Sequence, residues 1–177
     1  VDEESAAGDT FMAEVCERWE AAADPARRAG IRVVHPRMGV VLTPKGGALE
    51  KMLLPFKMGV GGRVGSGEQY MSWITPDDLV GAFNFLLFHE ELEGPVNVTS
   101  PNPVTNGEFT EALGDVLGRP TILPVPSFGI KALFGEMGEE TVLQGQRTVP
   151  TRLEKAGFDF EFVGIEDALA HVLGRHS

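Results

Sequence analysis

The stretch Gly59-Val-Gly-Gly-Arg-Val-Gly-Ser-Gly-Glu-Gln-Tyr-Met-Ser-Trp-Ile-Thr-Pro-Asp-Asp78 decides how the rest of the sequence is interpreted. It combines a glycine-rich loop, a short strand and the start of a helix. Glycine lacks a Cβ, so such a loop can adopt positive φ or approach a ligand closely. A dinucleotide fingerprint would follow a strand and open a helix. Here a helical pattern precedes the loop and a strand follows it, which favours a substrate-side or structural loop.

The residues after the loop carry a strong helix-start signal. Thr75 can cap a helix, Pro76 suits the first helical position, and Asp77 and Asp78 fall in the first turn, where the helix dipole favours carboxylates. The two carboxylates are adjacent, so they point about 100° apart. This spacing predicts a helix-capping role for them and not a paired acid and base.

Upstream, apolar residues at helical spacing predict a helix that begins at Asp9 or Thr10 and ends near Asp24. Two β-branched runs follow, at 31–34 and 39–42, and a second helix is predicted over 48–58. Both runs are too apolar for a strand with one solvated face, which favours parallel strands covered on both sides.

Downstream, the elements become shorter and are interrupted by proline and glycine. Thr105 and Glu108 form a capping-box pattern for a helix that Gly118 closes. The remaining predictions are a strand at 96–99, helices at 127–134 and 139–143, a helix from Pro150 to Gly157, a strand at 158–162 and a last helix at 165–173.

Alternating strands and helices predict an α/β fold, the C-terminal part of a Rossmann-like doubly wound parallel sheet, followed by a small α+β lobe. We place the Rossmann-like domain with the glycine loop at residues 1–95 and the small C-terminal domain at 96–177. The boundary is drawn where the elements shorten.

Composition excludes several classes of function. The formal charge of −11 and the absence of clustered Lys and Arg argue against a nucleic-acid partner. The longest apolar segment is too short to span a membrane. The lone Cys16 has no disulfide or redox partner and is predicted to be a small buried residue on a helix. The four histidines lack zinc-site spacing. The acidic start differs from a signal peptide, so we expect a cytoplasmic protein, and the missing initiator Met suggests a fragment.

Short motifs occur in a fixed order along nearly the whole chain. They are Arg37-x-Gly-Val-Val-Leu, Gly46-Gly-Ala-Leu, Met52-Leu-Leu-Pro-Phe, Gly65-Ser-Gly, Ser72-Trp-Ile, Asp77-Asp-Leu, Leu117-Gly-Arg-Pro, Gly145-Gln-Arg-x-x-Pro and Ala156-Gly-Phe. This order resembles the second half of extended short-chain dehydrogenase/reductases, and more narrowly their atypical branch described as nucleoside-diphosphate-sugar epimerases.

The resemblance implies an NAD(P)-dependent enzyme that acts on a nucleotide sugar. Its cofactor fingerprint belongs to a first half that these residues do not contain, so no cofactor-binding residue is assigned. The superfamily's catalytic Tyr and Lys are separated by three residues. The sole tyrosine here is Tyr70, with Ile74 at the lysine position, so catalytic residues are left unassigned.

Six residues are candidates for substrate contact. The backbone and carboxamide of the loop can bind ribose or diphosphate without adding charge. Arg37 offers a planar fork that suits diphosphate, with an ion pair to an acid as its alternative role. Trp73 could stack on a base, with core packing as its alternative. The candidates are Arg37, Gly65, Ser66, Gly67, Gln69 and Trp73.

Three hypotheses follow. The first is the substrate-side part of a sugar-nucleotide epimerase or reductase. The second is a non-catalytic, Rossmann-derived nucleotide-binding or regulatory module, which the missing dyad motivates. The third is a chain that self-associates or pairs with another chain through the exposed edge of its parallel sheet.

Overall fold

The computed structural model describes residues 1–121 and 145–175. The predicted helices at 127–134 and 139–143 lie outside this part. The helices are α1 Phe11–Ala21, α2 Asp24–Arg28, α3 Gly47–Lys57, α4 Pro76–Phe88, α5 Asn106–Leu117, α6 Thr151–Lys155 and α7 Ile165–Val172. The strands are β1 Val34–Met38, β2 Val40–Val41, β3 Tyr70–Met71, β4 Trp73–Ile74, β5 Gly94–Val98 and β6 Val104–Thr105.

The strands form three pairs. β1 is parallel to β5, β2 is parallel to β4, and β3 is antiparallel to β6. α4 connects β4 to β5, which returns the chain to the side of β1 in the same direction. The predicted α/β class with parallel strands is therefore confirmed.

α4 covers one face of the β1–β5 pair, and an ion pair joins the other face to α1. Val34, Val96 and Val98 pack in one apolar cluster with Ala82 and Leu86 of α4. Side chains alternate along a strand, so Arg37 points to the other face, where it binds Glu20 of α1. The pair is thus the middle layer between α1 and α4.

The first strand begins later than the sequence predicts. The run at 31–34 was expected to be a buried strand, but β1 starts at Val34 and Ile31 is exposed. The Arg32 guanidinium donates to the carbonyls of Leu86 and Leu92 at 3.0 and 2.8 Å. The segment before β1 is therefore used to cap the end of α4, whose last carbonyls lack helical partners.

Three helix boundaries follow the predicted signals. The Thr75 hydroxyl accepts from the Asp78 N–H, and Thr105 and Glu108 make both hydrogen bonds of the capping box. Gly118 closes α5 at φ 63°, in the left-handed region that glycine tolerates. Local capping chemistry is sufficient to place these ends.

The strand predicted at 158–162 is wrong. The Asp78 carboxylate is buried and accepts from the backbone N–H groups of Glu161 and Phe162 at 2.7 and 3.1 Å. The Asp78 side chain supplies the hydrogen-bond acceptors that the carbonyl groups of a neighbouring strand would supply. The alternating Phe residues pack on the apolar clusters without forming a ladder.

Two apolar clusters hold the structure together, and each draws on both predicted domains. One joins Trp73 to Phe109 and Leu169, and the other joins Ile74 to Val96 and Leu153. The predicted boundary after residue 95 falls inside β5. The division into two domains stays a prediction, and in the structure the small lobe shares its core with the sheet.

Helix α1 begins at the predicted cap Thr10, but its apolar residues are not buried. Cys16, predicted to be buried, is exposed. Trp19 is 80% exposed. Within residues 1–121 and 145–175, no helix is long and apolar enough to cross a bilayer.

We expect Asp78→Ala to lower the free energy of unfolding by about 2 kcal/mol, because the part-buried N–H groups of Glu161 and Phe162 lose their carboxylate acceptor. Asp77→Ala is the matched control, since Asp77 is exposed and bonds only the side chain of His171 at 3.0 Å in the part of the chain described. Its cost should be below about 1 kcal/mol. Urea unfolding of both variants measures the difference, and equal losses would contradict the role given to Asp78.

Candidate functional site

The glycine loop, residues 59–69, is fastened to the start of α5. The Asn106 side chain accepts from the Val64 N–H at 2.7 Å, and the Asn106 N–H donates to the Gln69 carbonyl at 2.8 Å. The Gly107 N–H donates to the Gly67 carbonyl at 2.8 Å. The loop therefore has one fixed position, set by the helix that follows β6.

The four predicted loop residues differ in what they offer a ligand. Gly65 and Ser66 are exposed, with Gly65 at φ 58°. Gly67 is buried at φ 77°, where a Cβ would contact Arg63 and Gly107. The Gln69 carboxamide donates to the Val64 carbonyl at 3.0 Å. Gly67 and Gln69 thus shape the loop from within, and Gly65 and Ser66 present its tip to solvent.

Tyr70 brings the loop to a second segment, residues 145–149. It follows Gln69 directly, and a Cβ on Gly145 would overlap its carbonyl oxygen. The Arg147 guanidinium lies 5.8 Å from the centre of the Tyr70 ring. An exposed cation and an aromatic ring are therefore placed at the end of the glycine loop.

Segment 145–149 is held in place by hydrogen bonds on both sides. The Ser72 hydroxyl donates to the Gln146 carbonyl at 2.8 Å and accepts from the Thr148 N–H at 2.9 Å. The Asn97 carboxamide donates to the Val149 carbonyl at 3.0 Å. These bonds fix the backbone of Arg147 while its side chain stays exposed.

Arg37 does not join this group of residues. It lies within β1, not after it, and makes two hydrogen bonds to the Glu20 carboxylate at 2.7 and 2.8 Å. This pair lowers the pKa of Glu20 and raises that of Arg37, chiefly through the hydrogen bonds between them. The ion-pair alternative describes Arg37 correctly, with Glu20 as the acid, and none of these contacts brings Arg37 to the glycine loop.

Trp73 is a core residue. Its ring is completely buried, and its indole N–H donates to the Asn102 carbonyl at 3.0 Å. The proposed stacking on a substrate base is therefore corrected to the core alternative. Its neighbour Ser72 carries the polar contacts of this short strand region.

A groove of about 360 Å³ lies between α5 and α7, away from the glycine loop. Four carboxylates line it, and they would repel the diphosphate of a nucleotide. In residues 1–121 and 145–175, no group of three or more His, Cys, Asp or Glu could hold a metal ion. The groove residues are Val104, Glu108, Glu111, Ala112, Asp115, Ile165 and Glu166.

Comparison with known proteins places this chain in a family. Residues 125–172 match a domain of unknown function, DUF1731. An epimerase family protein of Mycobacterium bovis is 49% identical over 175 residues, which cover 99% of this chain and 58% of the relative. The chain belongs to this epimerase family.

Solved structures agree with the assignment. Human epimerase family protein SDR39U1, crystallised with NADPH, matches with a TM-score of 0.88 and 36% identity over 99% of this chain and 60% of that chain. A nucleoside-diphosphate sugar epimerase from Corynebacterium glutamicum matches with a TM-score of 0.78 and 36% identity, covering 98% of this chain and 33% of that chain. The resemblance to atypical short-chain dehydrogenase/reductases and the Rossmann-like fold are confirmed.

This epimerase family chain spans somewhat more than half the length of the relatives it matches. In the described residues, the glycine loop lies between helix α3 and strand β3. It is therefore not the strand-loop-helix unit that holds a dinucleotide. The described residues do not form the principal binding site for NAD(P), and we assign none of them to that site.

Sequence reasoning missed the residues that join the two segments. The sequence analysis mentions Tyr70 only because Ile74 stands at the lysine position, and it includes neither Tyr70 nor Arg147 among the candidates for substrate contact. Gly145 in the Gly145-Gln-Arg motif was a usable signal, because glycine lacks a Cβ and therefore allows another group to approach its backbone closely. Nothing in sequence spacing places it against Tyr70.

The Glu20–Arg37 pair makes stability depend on pH. The folded-state pKa of Glu20 lies below its unfolded value, so the pair stabilises the chain above about pH 4.3. This stabilisation is lost as the pH falls through the lowered folded-state pKa. We expect Glu20→Gln to cost about 1 kcal/mol at pH 7 and progressively less in acid. The free energy of unfolding of the parent protein and of the Glu20→Gln variant is measured from about pH 3 to about pH 7, a range that includes the titration of Glu.

Glu14→Gln is the control, because Glu14 pairs with Arg18 on the open surface of α1. Its effect should be smaller at every pH. A Glu20→Gln variant as stable as the parent protein at neutral pH would show that the pair does not hold α1 to β1.

We expect Gly145→Ala to destabilise the chain by about 2 kcal/mol, because the added methyl group overlaps the backbone of Tyr70. Gly46→Ala is the matched control, since Gly46 has an extended φ of 171° and open space around its Cβ position. Urea unfolding compares the two. Equal stability of the Gly145→Ala variant and the parent would refute the close approach.

Proposed function

We propose that this chain is the substrate-side part of an NAD(P)-dependent, epimerase-type protein of the short-chain dehydrogenase/reductase superfamily. The observation that carries the proposal is the meeting of Tyr70, at the end of the glycine loop, with Gly145 and Arg147. The site combines backbone amides, a hydroxyl, an aromatic ring and one guanidinium. These groups suit the sugar, base and diphosphate of a nucleotide sugar.

Each group has a specific proposed part. Gly65 and Ser66 offer backbone and hydroxyl contacts to ribose or sugar hydroxyls. Arg147 neutralises the diphosphate, and the ring of Tyr70 holds the guanidinium in place through a cation–π contact. Gly67, Gln69 and Ser72 keep these groups in position through their own hydrogen bonds. The proposed substrate contacts of Arg37 and Trp73 are withdrawn.

NAD(P) would supply hydride chemistry in the complete protein. The solved human relative was crystallised with NADPH, which supports the same cofactor class here. The described residues do not include the strand-loop-helix unit that binds a dinucleotide, so no cofactor-binding role is given to them. The absence of a cluster of Lys and Arg in the sequence and its acidic composition support a small-molecule substrate over a nucleic acid.

Calorimetry with UDP and with uridine tests the proposed anion contact. We expect Arg147→Ala to weaken UDP binding about tenfold, which corresponds to one charge-assisted contact of about 1.4 kcal/mol. Uridine binding should change little, because uridine lacks the diphosphate. Arg28→Ala, an exposed arginine on α2, is the control.

A loss of UDP affinity equal to the loss of uridine affinity would point to a general disruption of the site. If the parent chain binds neither ligand, the substrate-side assignment fails. If the parent chain binds UDP and Arg147→Ala leaves the UDP affinity unchanged, the proposed site stands but Arg147 does not contact the ligand.

One observation favours a second candidate, a nucleotide-binding module without catalysis. The start of α1 supplies Phe11, Met12, Val15 and Cys16, so the superfamily's Tyr and Lys dyad is absent from this helix. A complete protein that binds NADPH and a nucleotide sugar without hydride transfer, followed by nicotinamide absorbance, would support this second function over the first.

A further inference from the structure

A short strap, residues 1–3, lies against segment 145–149. The Val1 nitrogen donates to the Arg147 carbonyl at 2.6 Å, and the Val149 N–H donates to the Val1 carbonyl at 3.1 Å. The groups that bind Ser72 belong instead to residues 146 and 148. Val1 and Ser72 therefore hold the segment through different backbone groups, and the carbonyl of Arg147 itself is bound by the strap.

The Glu3 side chain anchors the strap. Glu3 is 8% exposed, and a glutamate is rarely buried without polar partners. Its carboxylate accepts from the Asn97 N–H at 3.0 Å and from the Arg152 N–H at 3.3 Å. Asn97 belongs to β5 and Arg152 to the first turn of α6. One carboxylate thus fixes residues 1–3 to two elements of the fold.

Asn97 links Glu3 to segment 145–149 by a second route. Its N–H donates to the Glu3 carboxylate, while its carboxamide donates to the Val149 carbonyl at 3.0 Å. Asn97 is buried, with 2% of its surface exposed. Glu3 therefore acts on the segment both through the backbone of the strap and through Asn97.

Loss of the Glu3 carboxylate would release this support. The buried N–H of Asn97 would be left without its acceptor, which costs more than a hydrogen bond contributes when it is made. Val1 would no longer be held beside Arg147. The segment would keep its two bonds to Ser72, so we expect a displaced Arg147 and not an unfolded lobe.

We infer that Glu3 is a positioning residue for Arg147, which it keeps beside Tyr70 through the strap and through Asn97. In this role Glu3 acts through Arg147 and makes no contact with the ligand. The inference rests on the proposed function, in which Arg147 binds the diphosphate of a nucleotide. It gives a buried carboxylate at one end of the chain a part in a site formed by the loop and by segment 145–149.

Calorimetry with UDP and with uridine on the 177-residue chain tests the effect on the ligand. We expect Glu3→Ala to weaken UDP binding about fivefold, less than Arg147→Ala does, because the guanidinium is displaced but retained. Uridine affinity should change little. Glu3→Gln keeps a carbonyl oxygen that accepts both N–H groups, so its UDP affinity should stay within about twofold of the parent value.

Glu4→Ala is the matched control, because the Glu4 side chain is exposed and the variant keeps the Glu4 N–H that bonds Asp2. It should bind UDP as the parent chain does. Adding Glu3→Ala to Arg147→Ala should cause no further loss of UDP affinity, because Glu3 acts on the ligand through Arg147 alone. A merely structural role of Glu3 would lower the affinity of the double variant.

Limited proteolysis gives a readout that needs no ligand. Trypsin cleaves after arginine, and cleavage after Arg147 requires segment 145–149 to open locally. We expect Glu3→Ala to speed this cleavage about tenfold, because the segment loses the support of the strap. Cleavage after Arg28, on the exposed helix α2, is the internal reference and should keep its rate. Glu3→Gln and Glu4→Ala should match the parent chain.

Deletion of Val1 and Asp2 is a second variant that does not remove a buried side chain. It breaks the bonds from the strap to Arg147 and Val149 and keeps the Glu3 carboxylate. Cleavage after Arg147 should become faster in this variant also. Circular dichroism of each variant checks that it is folded, and the deletion decides the question if Glu3→Ala does not fold.

Three results would overturn the inference. The first is an unchanged rate of cleavage after Arg147 in Glu3→Ala and in the deletion variant. The second is an equal increase after Arg147 and Arg28, which would show general destabilisation. The third is a further loss of UDP affinity when Glu3→Ala is added to Arg147→Ala. If the parent chain binds no UDP, the proposed function fails, and the rates of trypsin cleavage alone decide whether Glu3 positions Arg147.

Discussion

The rest of the structure depends on β5, because both of its edges are hydrogen-bonded but by different kinds of group. Main-chain groups of β1 satisfy one edge, and Arg152, Glu3 and the segment around Val149 occupy the other. The strand thus links the parallel sheet to the small lobe. Val96 of β5 and Leu153 of α6 also pack in the same apolar cluster, so apolar contacts add to this attachment.

The same attachment explains how a site can form from distant parts of the sequence. Segment 145–149 is fixed by Asn97 on one side and by Ser72 on the other. It therefore meets the glycine loop at Tyr70, more than 70 residues away in the chain. The chemistry of the candidate site comes from exposed side chains, whereas its geometry is set by the hydrogen bonds of Ser72, Asn97 and Asn106.

How much of this could be predicted depends on whether the signal is local. Thr75, Thr105 with Glu108, and Gly118 act through neighbours within one helical turn, and the helix ends they predict are found. The run at 158–162 has the alternation of a strand, but Asp78 takes its N–H groups. That competition depends on a residue about 80 positions away and leaves no local mark.

The candidate site shows the same limit. The glycine loop could be recognised because glycine content is visible in the sequence. Arg37 could not be placed, since its role depends on Glu20 being brought within hydrogen-bonding distance by α1. Trp73 presented two roles, of which core packing is the commoner for a Trp on a short strand beside an apolar helix, and its complete burial identifies it as a core residue.

The occupied outer edge of β5 also limits what this sheet can build. A sheet with two free edges can add copies at both ends and grow without limit, as fibrils do. Here the Arg152 guanidinium and the Glu3 carboxylate stop growth on one side. Among the described residues, β1 carries the edge of this pair that no side chain or strand occupies, so the pair can be extended by a further strand on that side alone.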